Sequence, residues 1–152
     1  CYYCCAQAKE VGNRFMSMPS SRNRILGVQM YLYGMVGFLH WGYNFYYSHH
    51  SITRDVDPYK ETSALDAFPA GDAFSVYPYG NGVISSLRQK VFKDALDDIR
   101  LLSLLEKRIG REETVKLIKE TAGMDITFKK YPLDNRFFHI LTKKALDIIE
   151  DK

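Results

Sequence analysis

The residues with the most chemistry in them gather in one short run. His40, Trp41, Tyr43 and Asn44 follow one another closely, and Trp41 is the single tryptophan of the 152-residue chain. Flat aromatic faces beside imidazole and amide edges suit a flat, hydroxyl-rich ligand such as a sugar ring. The same run also fits an aromatic plug under a long loop, because large aromatics are most often packing residues. Further on, Asp72 closes the turn Pro69-Ala70-Gly71-Asp72, and Tyr77 stands before Pro78. The two flank the next apolar stretch and could add a carboxylate and a phenol to the same place.

Such a run needs a strand that ends where the chemistry begins. Residues 36–39 are bulky and apolar, as in a buried parallel strand reaching about residue 41, and Gly42 lets the backbone turn off the sheet. Residues 1–6 read as the tail of an earlier strand. Between them, Ser20 or Ser21 can cap a helix that runs to about Tyr33 and stops at Gly34. Residues 42–72 form a long irregular segment, a length that inside a compact domain marks a functional loop or disorder, and the anchors Tyr59 and Phe68 argue against disorder.

Residues 73–77 are expected as a second short strand and 78–82 as a turn. Ser86 with Gln89 fits a capping box at the start of a long helix. Leu87, Val91, Ala95, Ile99, Leu102 and Ile109 track its apolar face, and Gly110 ends it. A shorter helix follows over about 112–122, with Gly123 as its stop. Asp134 can cap a last helix with Phe138, Leu141, Ala145 and Ile148 in its stripe. Strands alternating with helices predict an α/β chain with a parallel sheet and helices outside it. Three strands cannot close a barrel, and an eight-stranded α/β barrel takes about 250 residues. The chain is therefore expected to be a small open sheet or the last part of a barrel. Its first residue, Cys1 rather than Met, favours the second.

Composition narrows the partners. The net charge is +3, and the later Lys and Arg alternate with Asp and Glu, so no basic stripe of the kind nucleic acid requires is present. No apolar run approaches the roughly 20 residues of a membrane span. Cys1, Cys4 and Cys5 are an odd set confined to one end and make no disulfide framework. Their C-x-x-C lacks the further ligands of a zinc site. His49, His50, Asp55 and Asp57 share a loop, but their spacing matches no metal-ligand pattern. Gly80-Asn81-Gly82 ahead of a helix start could cradle a phosphate, although a plain turn explains it. No metal and no cofactor is assigned.

Several separated phrases carry a family likeness: Arg24-Ile25-Leu26-Gly27, then Gly37-Phe38-Leu39-His40-Trp41-Gly42-Tyr43-Asn44, then Pro69-Ala70-Gly71-Asp72, Tyr77-Pro78 and Ser86-Leu87-Arg88, with Asp97-Asp98 further along. In this order they resemble the C-terminal catalytic-domain region of glycoside hydrolase family 123-like proteins. The resemblance runs over about two-thirds of the chain. It implies a (β/α)8 barrel of the TIM type, with residues 1–109 as its C-terminal part and residues 110–152 as appended helices packing on it. It also implies hydrolysis of N-acetylhexosamine-containing glycans with retention. The substrate's own acetamido group attacks, one carboxylate orients it, and a neighbouring one protonates the leaving oxygen. The family's catalytic pair is an adjacent Asp-Glu, and this sequence contains no Asp-Glu dipeptide. No catalytic residue is therefore assigned. The pair is expected in an upstream part of the same polypeptide, and this chain by itself is not expected to turn over substrate. What it would supply is a pocket wall of His40, Trp41, Tyr43, Asn44, Asp72 and Tyr77. The alternative is a non-catalytic carbohydrate-binding or structural domain.

Overall fold

A computed structural model describes residues 1–4, 7–48 and 51–150. The chain order is β1 (Tyr2–Tyr3), α1 (Ser20–Leu32), β2 (Leu39–His40), β3 (Tyr47–Ser48), β4 (Ser51–Asp55), β5 (Val76–Tyr79), β6 (Gly82–Ser85), α2 (Leu87–Ile109), α3 (Arg111–Ala122) and α4 (Arg136–Glu150). The fold is mixed α/β, with four helices and small two-stranded sheets among the described residues, and no barrel closes within them.

β1 and β2 pair in parallel, Tyr2 with Leu39 and Tyr3 with His40, and α1 connects them. This is the strand–helix–strand order expected from the alternating pattern. β2 is shorter than the expected strand. Val36 is fully exposed and Leu39 is 62% exposed, so the apolar bulk that suggested burial has no described element over it.

The expected third parallel strand over residues 73–77 is replaced by a hairpin. β5 pairs antiparallel with β6, Val76 opposite Ser85 and Tyr79 opposite Gly82. Gly80 adopts φ +53° in the two-residue turn, which brings Val83 and Ile84 back alongside β5. Pro78 and Gly82, read as turn residues, therefore lie in strands.

The long segment is also more ordered than its composition suggested. β3 and β4 form an antiparallel hairpin with a register shift. Beyond it, Ala64, Leu65 and Asp66 all take left-handed backbone angles, which cost about 1–2 kcal/mol per residue for non-glycine side chains. The Glu61 carboxylate offsets this by accepting from the backbone N–H groups of Ser63 at 2.8 Å and Leu65 at 2.7 Å. This bend delivers Phe68 and Asp72 to the site.

The helices form a separate layer. Ile25 and Val28 of α1, Leu102 of α2, Ile118 of α3, and Phe138 and Leu141 of α4 share one buried core. Gly27 sets the closeness of α1 and α2, since a Cβ there would lie 2.1 Å from the Ala95 carbonyl oxygen. Arg24 pins the same pair with a bidentate contact to Asp98, both N···O distances 2.7 Å. Ser86 caps α2 as expected, its hydroxyl accepting from the Gln89 N–H at 3.2 Å. The cap expected for α1 is absent. Pro19 takes the capping position, Ser20 is already helical, and the Ser21 hydroxyl donates instead to the Leu133 carbonyl. α2 turns Arg88 and Asp98 inward along with Val91, Ala95 and Leu102, while Leu87, expected on the apolar face, is exposed.

Candidate functional site

Tyr3 and His40 are the last residues of the two parallel strands, and their rings stack with centroids 4.9 Å apart. The C-terminal ends of parallel strands are where α/β folds place their ligand sites. Around this pair the chain assembles a polar cluster with Asp72 at its centre. Asp72 is completely buried. Its Oδ1 accepts from the Tyr3 hydroxyl at 2.5 Å and its Oδ2 from the Trp41 indole N–H at 3.2 Å. The Tyr3 oxygen in turn accepts the Arg14 backbone N–H at 2.9 Å.

Two arginines border the cluster. Arg14 is 3% exposed, and its guanidinium lies 4.2 Å from the Phe92 ring centroid and 5.0 Å from that of Phe38. Its side chain makes no hydrogen bond to a described residue, and Nη2 is wholly shielded. Arg88, in the first turn of α2, donates from Nη2 to the Phe74 carbonyl at 2.6 Å while its Nε is unpartnered. Gly71 makes room for it, as a Cβ there would meet the guanidinium carbon at 2.9 Å.

These neighbours set the protonation states. Burial pushes the Asp72 carboxyl up, against the hydrogen bonds from Tyr3 and Trp41 and the charges of Arg14 and Arg88. Burial, then the Asp72 hydrogen bond, raises the Tyr3 phenol. Arg14 is brought down by burial to about 10, which leaves it charged at neutral pH. His40 is brought down to about 4 by burial and then by Arg14 and Arg88, so its imidazole is neutral. Neither of its ring nitrogens has a described partner.

Of the residues singled out in the sequence, His40, Trp41 and Asp72 meet directly around Tyr3. Trp41 is held by Phe68, centroids 4.6 Å apart, by Phe45 at 5.6 Å, and by Asp72. Tyr77 lies beside Arg88 and packs edge-on against Phe74 at 5.2 Å. Tyr43 and Asn44 are exposed next to this group, their backbone tied to residues 74 and 75 by a bridge and by the Ser75 N–H to the Tyr43 carbonyl. Tyr3, Arg14 and Arg88 were not anticipated. Arg88 had a readable signal, since it stands three and seven positions before Val91 and Ala95 on the inward face of α2. Arg14 lies in an irregular loop and had none.

The other candidate constellations gain nothing. Among the described residues no group of three or more His, Cys, Asp and Glu could hold a metal ion. His49, His50 and Cys5 lie outside the described residues. Gly80 and Asn81 form the hairpin turn of β5 and β6. No described helix is long and apolar enough to cross a membrane.

Trp41, held by Phe45, Phe68 and Asp72, thus lies beside the exposed Tyr43 and Asn44 just past the end of β2. Residues 1–105 match the family model described as glycoside hydrolase 123, catalytic domain. The chain thus belongs to the glycoside hydrolase 123 catalytic-domain family, and a carbohydrate is the substrate class that this membership implies. No curated protein matches the chain.

Proposed function

We propose that this chain forms one wall of the substrate pocket of a hydrolase acting on N-acetylhexosamine-containing glycans by the retaining, substrate-assisted route. In this reading β1, α1 and β2 are part of a (β/α)8 barrel made up to residue 109, with residues 110–152 as helices packed on its outside. The orienting and acid carboxylates come from an earlier part of the polypeptide, because this chain holds no Asp-Glu dipeptide. The observation that carries the reading is Trp41. It is fixed on two sides by Phe45 and Phe68 and at its N–H by Asp72, immediately past the end of β2 and next to the exposed Tyr43. A ring held this way presents a preorganised wall, which lowers the ordering cost of binding a sugar. Tyr43 and Asn44 are the groups accessible for stacking and for hydroxyl contacts, with His40, Asp72 and Tyr77 behind them. The test is steady-state kinetics of the full-length polypeptide on an N-acetylgalactosaminide. Trp41→Ala and Tyr43→Phe are expected to raise KM or lower kcat by about tenfold or more for Trp41 and less for Tyr43. Unchanged constants in both variants would overturn the assignment.

A further inference from the structure

An aromatic band leads away from Tyr43 and Asn44 along the β5–β6 hairpin. Tyr46 packs on Phe74 with centroids 5.8 Å apart, Phe74 meets Tyr77 edge-on, and the Tyr59 ring lies 5.1 Å from that of Tyr77, tilted by 34°. The near end joins the pocket wall, since Phe74 bridges Asn44 and the Tyr46 hydroxyl is within electrostatic reach of Tyr43, Tyr59 and Tyr77. The far end is open. Tyr59 is 57% exposed. Tyr79, two positions past Tyr77 and so on the same face of β5, is 69% exposed, and its partner across the hairpin is Gly82, which has no side chain to cover it.

The exposed Tyr59 ring is also fixed. Its hydroxyl donates to the Pro78 carbonyl at 2.7 Å, its backbone N–H donates to Asp57 Oδ1 at 3.0 Å, and Tyr77 covers one side of the ring. Little ordering is left to do when something stacks on the other side. Charge selects the ligand. Residues 76–87 contain no charged side chain, and the charges beside Tyr59, those of Asp57 and Lys60, pair with each other at 3.5 Å. A fixed aromatic face with phenol edges and no free charge suits an uncharged, hydroxyl-rich ring rather than an ion. We propose that Tyr59 and Tyr79 form a second sugar subsite, on which the unit next to the N-acetylhexosamine of the glycan stacks. This rests on the pocket at Trp41 proposed above, and it makes the preferred substrate a glycan of at least two sugars.

The test uses the full-length polypeptide with two probes: methyl N-acetyl-β-galactosaminide, and the disaccharide in which galactose replaces the methyl group. Both leaving oxygens are alkyl, so a difference between the probes reports binding of the second sugar. The disaccharide is expected to have a kcat/KM about tenfold or more above that of the methyl glycoside. Tyr59→Ala is expected to remove most of that preference while the methyl glycoside is cleaved as before, and Tyr59→Phe, which keeps the ring, to retain it. Tyr79→Ala, at a more exposed position, is expected to reduce the preference about threefold and decides the matter if Tyr59→Ala does not fold. If neither probe is cleaved, the hydrolase reading fails by itself. The subsite is then judged by calorimetric titration of the same two probes, with the same preference and the same losses expected. Equal handling of the two probes, or a preference unchanged in every folded variant, would overturn the proposal. So would self-association of the native polypeptide that Tyr59→Ala and Tyr79→Ala abolish, which would give the band to a second copy of the chain.

Discussion

The helical layer and the cluster at the ends of β1 and β2 satisfy their side chains in opposite ways. In the helical layer, Phe138 is 1% exposed and Leu105 and Ile118 are fully buried. Its half-buried ion pair is complete, with two hydrogen bonds between Arg24 and Asp98 and the guanidinium stacked 4.7 Å over Phe138. At the strand ends, Arg14, Arg88 and His40 all keep shielded nitrogens without partners, and the strand residues Tyr2 and Leu39, with Val36 just ahead of β2, stand exposed. Apolar burial and paired charge stabilise the first region by themselves. The second region leaves several buried polar atoms unpaired among the described residues. Complete pairing thus marks one layer of this small structure, and unpaired buried polar groups mark the other.

The largest effect that could sharpen this division comes from the helical core. Phe138→Ala removes a ring shared by α1, α2 and α4, and it should cost about 3–5 kcal/mol in urea unfolding. The fluorescence of Trp41 in the folded baseline should stay as it was, because Trp41 packs against Phe45 and Phe68 and touches none of that core. A shifted native spectrum would mean the two layers are mechanically one.

A paired experiment on two tyrosines separates the layers at finer scale. Tyr3 donates to Asp72 at 2.5 Å and Tyr31 donates to Glu106 at 2.6 Å, so the bonds match in length. Their surroundings differ, since Asp72 is completely buried and the Glu106 side chain is 38% exposed. Tyr3→Phe strands the Asp72 oxygen and the Arg14 N–H without water and should cost about 1–3 kcal/mol. Tyr31→Phe hands Glu106 to solvent and to Arg111, and should cost under about 1 kcal/mol. Equal losses would show that burial is not what distinguishes the regions.

The sequence exposed the helical layer well and the strand-end layer unevenly, for a physical reason. Helical spacing is local, so the stripe of Phe138, Leu141 and Ala145 and the stops at Gly110 and Gly123 could be read from neighbours three and four positions apart. Strand pairing is decided by partners. Residues 73–82 read as strand and turn, yet whether Val76 paired in parallel or folded back depended on Gly80 and on Val83 and Ile84 beyond them. The aromatic run around Trp41 was legible as chemistry. Its link to Asp72 spans 31 positions and left no local mark. Arg14 ran against expectation outright, because an arginine in a polar loop is normally solvated rather than buried between two phenylalanines.

The smallest expected effect concerns His40, and it tests whether the strand-end cluster keeps its positive charge to two groups. Burial, with Arg14 and Arg88 nearby, brings the imidazole from 6.5 down to about 4 in the folded state. The unfolded chain therefore binds a proton in this window that the folded chain refuses. The stability associated with neutral His40 is fully present above pH 6.5, and it is lost as pH falls from 6.5 through about 4. His40→Gln should flatten that part of the stability–pH curve and change little at pH 8. A direct reading is the imidazole carbon chemical shift of His40, which should stay neutral down to about pH 5. Titration near 6.5 instead would mean that His40 is solvated or paired with an anion. The two arginines would then share their site with a third cation, and the division between the layers would be narrower than the geometry indicates.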